Sequence, residues 1–251
     1  MSQIPIKTDE EIKLMIEGGR KLAEVKHQLF DEVKVGKSAR DIENLAVELI
    51  SKVGGTPSFK MVPRYHWATC VNINEGVVHG IPKPEVVFKK GDLVSVDVGL
   101  FYKGFHTDTS FSKGLNMDGD TKVFLEAGIV ALKNAIGAAK AGVRIYDISK
   151  AIEDSLRPKG FNPVKALVGH GIGRSLHEDP QIPGVTGGKR EESLIIPIGA
   201  TLAIEIIYAK GSGDIKLGSD GWTITTSDGK ISALYEETVA VTRKGRVVLT
   251  S

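Results

Sequence analysis

The feature that most constrains the fold is an internal repeat. "VKVGKSARDIENLAVELISKVGG" (33–55) lines up with "AKAGVRIYDISKAIEDSLRPKG" (139–160) at one constant offset, placing Gly36 on Gly142, Asp41 on Asp147, Ile42 on Ile148 and Gly54 on Gly160. Further on, "FKKGDLVSVDVG" matches "IPIGATLAIEII", which sets Asp97 against Glu205. Two units that recur in the same order bury their apolar faces most simply by building two similar halves around a shared cleft. The expected halves are roughly 1–113 and 114–251. No Pro/Gly/Ser-rich linker separates them, so 1–251 is expected to be one domain.

Each half begins helical. Thr8 caps a helix with Glu11 three residues on, and Ile12, Met15, Ile16, Leu22 and Val25 keep a helical period to about Phe30. Ser38 caps a second helix that stops at Gly54-Gly55, and two more are expected near 120–140 and 146–158, with strands dominating from about 164. At 41% hydrophobic content the chain can bury a sizeable core. This pattern predicts an α+β fold, a central antiparallel sheet flanked by helices.

Charge and cysteine content exclude several classes. Lys and Arg (33) nearly balance Asp and Glu (31), which argues against specific nucleic-acid binding driven by bulk charge. The single Cys70 excludes an internal disulfide and any Cys-rich metal site, and fits a cytoplasmic setting. The opening "MSQIPIKTDEEIKLM" lacks the pattern of a leader peptide, and no apolar run reaches the length of a membrane span.

Chemistry enters with carboxylates on apolar strands. "LVSVDVGLFYKGFHTDTS" (93–110) reads as a hairpin carrying Asp97 and Asp108. With Tyr102-Lys103 at its tip, the two aspartates stand directly opposite, with Cβ atoms about 4.5–5.5 Å apart. A desolvated carboxylate must be paired, solvated or bound to a cation. The second half repeats the arrangement: a hairpin turning at Asp220-Gly221 sets Glu205 in "LAIEII" against Glu236 in "ALYEETVAV". The interruptions "KGSG" and "SDGK" are expected to disturb that register.

Of six histidines, His170 and His177 lie in the Gly-rich "VGHGIGRSLHEDP" and His79 in "EGVVHGIP", while His27, His66 and His106 give no independent signal. Four carboxylates and one histidine can hold two divalent metal ions about 3.5–4 Å apart. Such a set suits Co, Mn or Fe(II) and also accepts Zn. The implied chemistry is hydrolysis by a metal-activated water, with the remaining histidines free to bind and polarise substrate.

"VNINEGVVHGIP", "VSVDVG", "HTDTSF", "GHGIGRSLHEDP", "LAIEI" and "DGWTITTSDGKISALYEETVAVT" together resemble the type I methionine aminopeptidases, in order and over nearly the whole chain. The resemblance implies the pseudo-two-fold "pita-bread" fold in its short bacterial form. It implies an enzyme that removes the initiator methionine from nascent polypeptides in the cytoplasm, as a monomer, with transient ribosome contact compatible with that role and no membrane partner. It also implies residue roles. Asp97 chelates one metal, Asp108 and Glu236 bridge both, and His170 and Glu205 complete the other. Glu205 serves as the proton-transfer group, His79 contacts the scissile amide, and His177 donates to the carbonyl oxygen. Tyr65, Leu176 and Trp222 line the methionine side-chain pocket.

Three departures stand out. Ile206 replaces a usual proline and Glu237 a usual histidine, and the 59–67 segment "FKMVPRYHW" keeps Tyr65 as the one expected pocket aromatic, with Met61, Val62 and Arg64 beside it. That loop predicts relaxed methionine preference. Two other functions share the fold: an Xaa-Pro aminopeptidase, which usually carries a large additional domain, and a metal-free binding protein, which loses ligands that this chain keeps.

Overall fold

The structure is a computed structural model that describes residues 3–251; Met1 and Ser2, part of the stretch read for a leader, lie outside the described residues. The helices are α1 (Asp9–Glu32), α2 (Ala39–Lys52), α3 (Gly119–Ala138) and α4 (Ile145–Leu156). The first-half strands are β1 (Thr56–Pro57), β2 (Thr69–Ile73), β3 (Gly76–Val78), β4 (Leu93–Tyr102) and β5 (Phe105–Gly114). The second half adds β6 (Asn162–Pro163), β7 (Val168–Gly171), β8 (Glu178–Pro183), β9 (Thr201–Ala209), β10 (Ile215–Leu217), β11 (Ile224–Thr226), β12 (Ser232–Thr242) and β13 (Gly245–Val248).

Local signals set the helix starts. Glu11 N–H donates to Thr8 Oγ1 at 3.2 Å and Thr8 N–H to Glu11 Oε2 at 2.8 Å, a reciprocal cap; Ser38 and Asp41 repeat it. The matched segments of the repeat behave alike. Gly36 and Gly142 take φ of 88° and 81°, and each donates its N–H at 2.9 Å, to the carbonyls of Phe88 and Ile196 respectively. Ser38 bridges Val87 as Arg144 bridges Ile195.

The main sheet has the order β1-β4-β5-β12-β9-β7-β8, with β2 on β4, β6 on β9 and β13 on β12, every pairing antiparallel. Alternation decides its two faces. Val94, Val96, Val98 and Leu100 are buried in one apolar cluster with Leu22, Val25 and Ile42 of α1 and α2. Leu202, Ile204, Ile206 and Tyr208 of β9 are buried in another with Phe124, Ala131 and Ile148 of α3 and α4. Each such aliphatic side chain contributes about 1.5–3 kcal/mol on burial. Ile206, the first departure, is therefore a core residue on the helix side, fully buried. Ser95, Asp97 and Glu205 alternate with these residues and project from the opposite face, where the candidate site lies. No helix among the described residues is long and apolar enough to cross a membrane.

Three sequence expectations need correction. The β4–β5 turn is Lys103-Gly104, with Tyr102 paired to Phe105, so Asp97 lies opposite Ser110 and Asp108 opposite Gly99. Both turn residues have positive φ, 48° and 89°, a conformation that glycine adopts freely and that a bulky Tyr at the first position would resist. The Glu205–Glu236 pairing is as expected, but "KGSG" and "SDGK" do not disturb the register, which holds outward to Ile215 opposite Thr226 because the two interruptions are of matching length. There is, however, no single long hairpin with a tight Asp220-Gly221 turn. β10 and β11 leave the main sheet, pair with each other and join β3 through β11, closing through a loop in which Gly218 N–H donates to the Thr223 carbonyl at 2.7 Å.

Candidate metal centre

Five neighbouring strands each supply one group. In spatial order they are Asp97 on β4, Asp108 on β5, Glu236 on β12, Glu205 on β9 and His170 on β7. Ligand atoms of Asp108, His170 and Glu236 lie within 4.8 Å of one another, and all three residues are buried. Asp97 and Glu205 stand outside that tightest trio but line the same cavity. His170 Nε2 is 3.5 Å from Glu205 Oε1.

The electrostatics of the cage are unfavourable by themselves. Burial pushes the Asp97 carboxyl up to about 7. Burial, then the neighbouring carboxylates, pushes Asp108, Glu205 and Glu236 well above the usual carboxylate range. Two buried carboxylate oxygens, Asp97 Oδ1 and Glu236 Oε1, have no hydrogen-bond partner in the protein. Orphaned buried acceptors are costly, and a cation answers both the orphaned oxygens and the mutual repulsion. The donor set, oxygen-rich with one imidazole, fits a divalent metal.

His170 has the form that a metal ligand requires. Its Nδ1 lies 2.8 Å from the Gly171 carbonyl; as donor there, it leaves the Nε2 lone pair facing the carboxylates. Burial depresses its pKa to about 4, which keeps the ring neutral. The flanking glycines are steric requirements. A Cβ at Gly169 would come within 2.6 Å of the Ala203 carbonyl oxygen and one at Gly171 within 2.1 Å of that of Asp179.

His79 and His177 line the same cavity without joining the trio. Both are held below the ordinary imidazole range, by burial in each case. The His177 ring centroid is 4.5 Å from that of His170. His79 adopts a left-handed φ of 57°, a conformation costing a non-glycine residue about 1–2 kcal/mol. It is fixed there by Gly80, whose N–H donates to Asn72 Oδ1 at 3.0 Å and whose carbonyl accepts from Val71 N–H at 2.9 Å.

The cavity wall beside these groups is apolar and includes Phe59, Val62, Tyr65, Cys70, Leu176 and Trp222. The expectation of Tyr65 as the sole pocket aromatic of the 59–67 loop is corrected, because a short 3-10 turn (Phe59–Met61) directs Phe59 into the wall while Met61 and Arg64 face solvent. Tyr65 stacks edge-on against Trp222 at 5.1 Å and donates its hydroxyl to the Thr69 carbonyl at 2.9 Å. Cys70 is a wall residue that sequence reasoning misses. Burial pushes its thiol well above the ordinary range, so it behaves as a small apolar group. Only its place on "ATCVNIN", beside the Asp97 strand, could have signalled it, since Cys70 pairs with Asp97 across β2 and β4.

The sequence profile of metallopeptidase family M24 matches residues 13–243. The chain belongs to that family. It is 38% identical to methionine aminopeptidase 1 of Bacillus subtilis over 97% of this chain and 98% of that one, and 35% identical to the methionine aminopeptidase of Escherichia coli over 98% and 94%. The crystal structure of methionine aminopeptidase from Thermotoga maritima superposes with a TM-score of 0.95 at 39% identity, covering 99% of this chain and all of that one. An Xaa-Pro dipeptidase from Bacillus anthracis shares the pita-bread fold at 22% identity with a TM-score of 0.77, and this chain spans 62% of its length. Membership in a metallopeptidase family agrees with a cage that is electrostatically incomplete without a divalent cation.

Within the family pattern, the Glu237 departure has a structural account. Glu237 points to the helix side of β12, away from the cage, where Lys26 Nζ donates to its Oε1 at 2.6 Å. It adds no charge to the metal-facing surface.

Proposed function

We propose that this chain hydrolyses the peptide bond after an N-terminal methionine, acting on nascent proteins and peptides in the cytoplasm, with two divalent ions held by Asp97, Asp108, His170, Glu205 and Glu236. The observation that carries this reading is a single cavity in which all five groups meet His79, His177 and an apolar wall. High identity over the full length of methionine aminopeptidases supports the same substrate. The reading also takes the chain as one catalytic domain of two similar halves, supported by the matched glycine turns at Gly36 and Gly142.

When bound, the ions supply Lewis acidity, lowering the pKa of water and polarising a carbonyl. The chain's own residues do the rest. Asp108 and Glu236, on adjacent strands at the middle of the cage, would hold both ions, with Asp97 joining from one side and His170 and Glu205 from the other. Glu205, largely buried in the cavity wall beside His170, is suited to accept and return a proton. Neutral His79 and His177 can each donate one N–H, to the scissile amide nitrogen and the carbonyl oxygen respectively. Phe59, Val62, Leu176 and Trp222 exclude water around an unbranched thioether side chain, which suits methionine. A second cavity shares His79, His170, His177 and Glu205 with the first and continues past Ala166, Val168 and Ile207, offering the rest of the peptide a way out.

The test is a panel of Xaa-Gly-Met-Met peptides assayed after chelation and again after loading with Mn, Fe(II), Co or Zn. Met-Gly-Met-Met should be cleaved only by metal-loaded protein and faster than the rest of the panel, by a margin that reads how far the 59–67 loop relaxes the preference. Cleavage by the chelated protein, or equal rates across the panel, would overturn the assignment.

A further inference from the structure

β12 divides one of its edges between two partners. Glu236 and Glu237 pair with Ser110 and Thr109 of β5, and residues from Val239 onward pair with β13. The seam with β5 is thus only two residue pairs long, yet it joins the strands that carry Asp108 and Glu236. Hydroxyls extend it. Thr109 Oγ1 donates to the Glu236 carbonyl at 2.8 Å. Thr238 Oγ1 accepts from Asp108 N–H at 2.9 Å and donates to the Asp108 carbonyl at 2.8 Å.

Thr238 stands where β12 changes partner, and the Leu249–Thr250 segment takes both of its main-chain groups. Leu249 N–H donates to the Thr238 carbonyl at 2.8 Å, and Thr238 N–H donates to Thr250 Oγ1 at 3.0 Å. The Thr250 hydroxyl hydrogen goes to Glu237 Oε2, and Glu237 Oε1 is held by Lys26 of α1. Lys26, Glu237 and Thr250 are all at least largely buried, so the pair is shielded from solvent. The segment is wedged against α1, since a Cβ on Gly19 would meet the Leu249 carbonyl oxygen at 2.4 Å. A continuous line of polar contacts therefore runs from Lys26 through Glu237, Thr250 and Thr238 to the main chain of Asp108.

We propose that Lys26, Glu237 and Thr250 are positioning residues for the metal centre, a latch on the helix side of the sheet that fixes the β5–β12 seam and so the placement of the Asp108 and Glu236 carboxylates. This rests on the reading that those two carboxylates hold the metal. None of the three touches the cavity; each acts through the strand that carries a ligand. Partners behind the ligands of a metal site typically govern about 10–100-fold in metal affinity when removed.

The experiment titrates Mn(II) into chelator-treated full-length protein by calorimetry and records the visible spectrum of the Co(II)-loaded form. Variants are E237Q, which keeps the shape but removes the charge facing Lys26, and the milder T250V and T250S. E237Q and T250V should bind Mn(II) about 10–100-fold more weakly than wild type and shift the Co(II) bands, whereas T250S, which keeps the hydroxyl, should match wild type. T250V is the safeguard if E237Q fails to fold, because it changes one buried hydroxyl for a methyl group. Wild-type affinity and spectrum in T250V and E237Q, even with a lowered melting temperature, would overturn the latch and leave the metal reading standing. T250S as weak as T250V would also overturn it. A wild-type protein that takes up no divalent ion would overturn the metal reading and the latch together.

Discussion

A buried cage of carboxylates makes the metal-free protein less stable than it need be, and Asp97→Asn measures by how much. Burial raises the Asp97 carboxyl from 3.8 to about 7, because the ionised form loses its water. For a carboxyl whose folded pKa is raised, the ionised form disfavours the native state. The penalty is absent below the unfolded pKa, grows as pH rises, and is complete above the folded pKa. At about 1.36 kcal/mol per pKa unit, a shift of roughly three units puts the full penalty near 4 kcal/mol above pH 7 and at less than half of that at pH 5. Asparagine has nearly the same shape and no charge to desolvate, so Asp97→Asn should stabilise the metal-free protein by up to about 4 kcal/mol at pH 8 and by much less at pH 5.

The assay is urea unfolding of chelated wild type and variant at both pH values, repeated at pH 8 with saturating Mn(II). Metal at a hundred times its dissociation constant should add about 2.7 kcal/mol to wild type and much less to the variant, narrowing the gap. A chelated variant no more stable than wild type at pH 8 would refute the reasoning, since it would mean that Asp97 is already satisfied within the protein. A gap that widened toward pH 5 would refute the sign.

Two further outcomes follow from the same cavity. His79→Ala and His177→Ala should retain wild-type metal content by atomic absorption but lose about 10²–10⁴-fold in kcat, the scale of a removed proton-transfer or polarising group; metal loss in either would place it among the ligands instead. Leu176→Ala, which enlarges the apolar wall, should lower kcat/KM for Met-Gly-Met-Met by about tenfold or more while sparing smaller N-terminal residues, and an equal loss across the peptide panel would show that Leu176 holds the site's shape rather than its selectivity.

Signals that act over a few residues are the most legible. The Thr8–Glu11 and Ser38–Asp41 caps are three residues across, and the sequence places both helix starts correctly. The composition of the cage is legible as well, because an acidic residue on a strand as apolar as "LAIEII" is too costly to bury without a partner or a cation. Contacts decided by distant packing are not. The Lys26–Glu237 pair spans 211 positions, and nothing near either residue announces it. Phe59 reaches the cavity only because of a short helical turn. β10 and β11 swing onto β3 where Lys210-Gly211-Ser212-Gly213 breaks the strand, which carries Trp222 to within 6.4 Å of the His79 ring.

The misplaced turn shows why the site survives an error in register. Moving the turn from Tyr102-Lys103 to Lys103-Gly104 slides β5 along β4 by two residues, one full period of side-chain alternation. Asp97 and Asp108 therefore stay on the same face of the sheet and are diagonal neighbours rather than direct partners. A diagonal pair stands about 7–8 Å apart at Cα, against about 4.5–5.5 Å for directly opposed residues, which leaves more space between the carboxylates for a cation. A slip of one residue would have sent Asp108 to the helix side, where Thr109 and Glu237 now sit, and dismantled the cage. The chain is protected from that slip by the valines of β4, which must all face α1 and α2, and by Thr238, which grips the Asp108 main chain through both its N–H and its carbonyl. Parity, set by the apolar residues, is what makes the cavity-facing set readable from sequence, while the spacing within that set is decided by the turn and by the seam with β12.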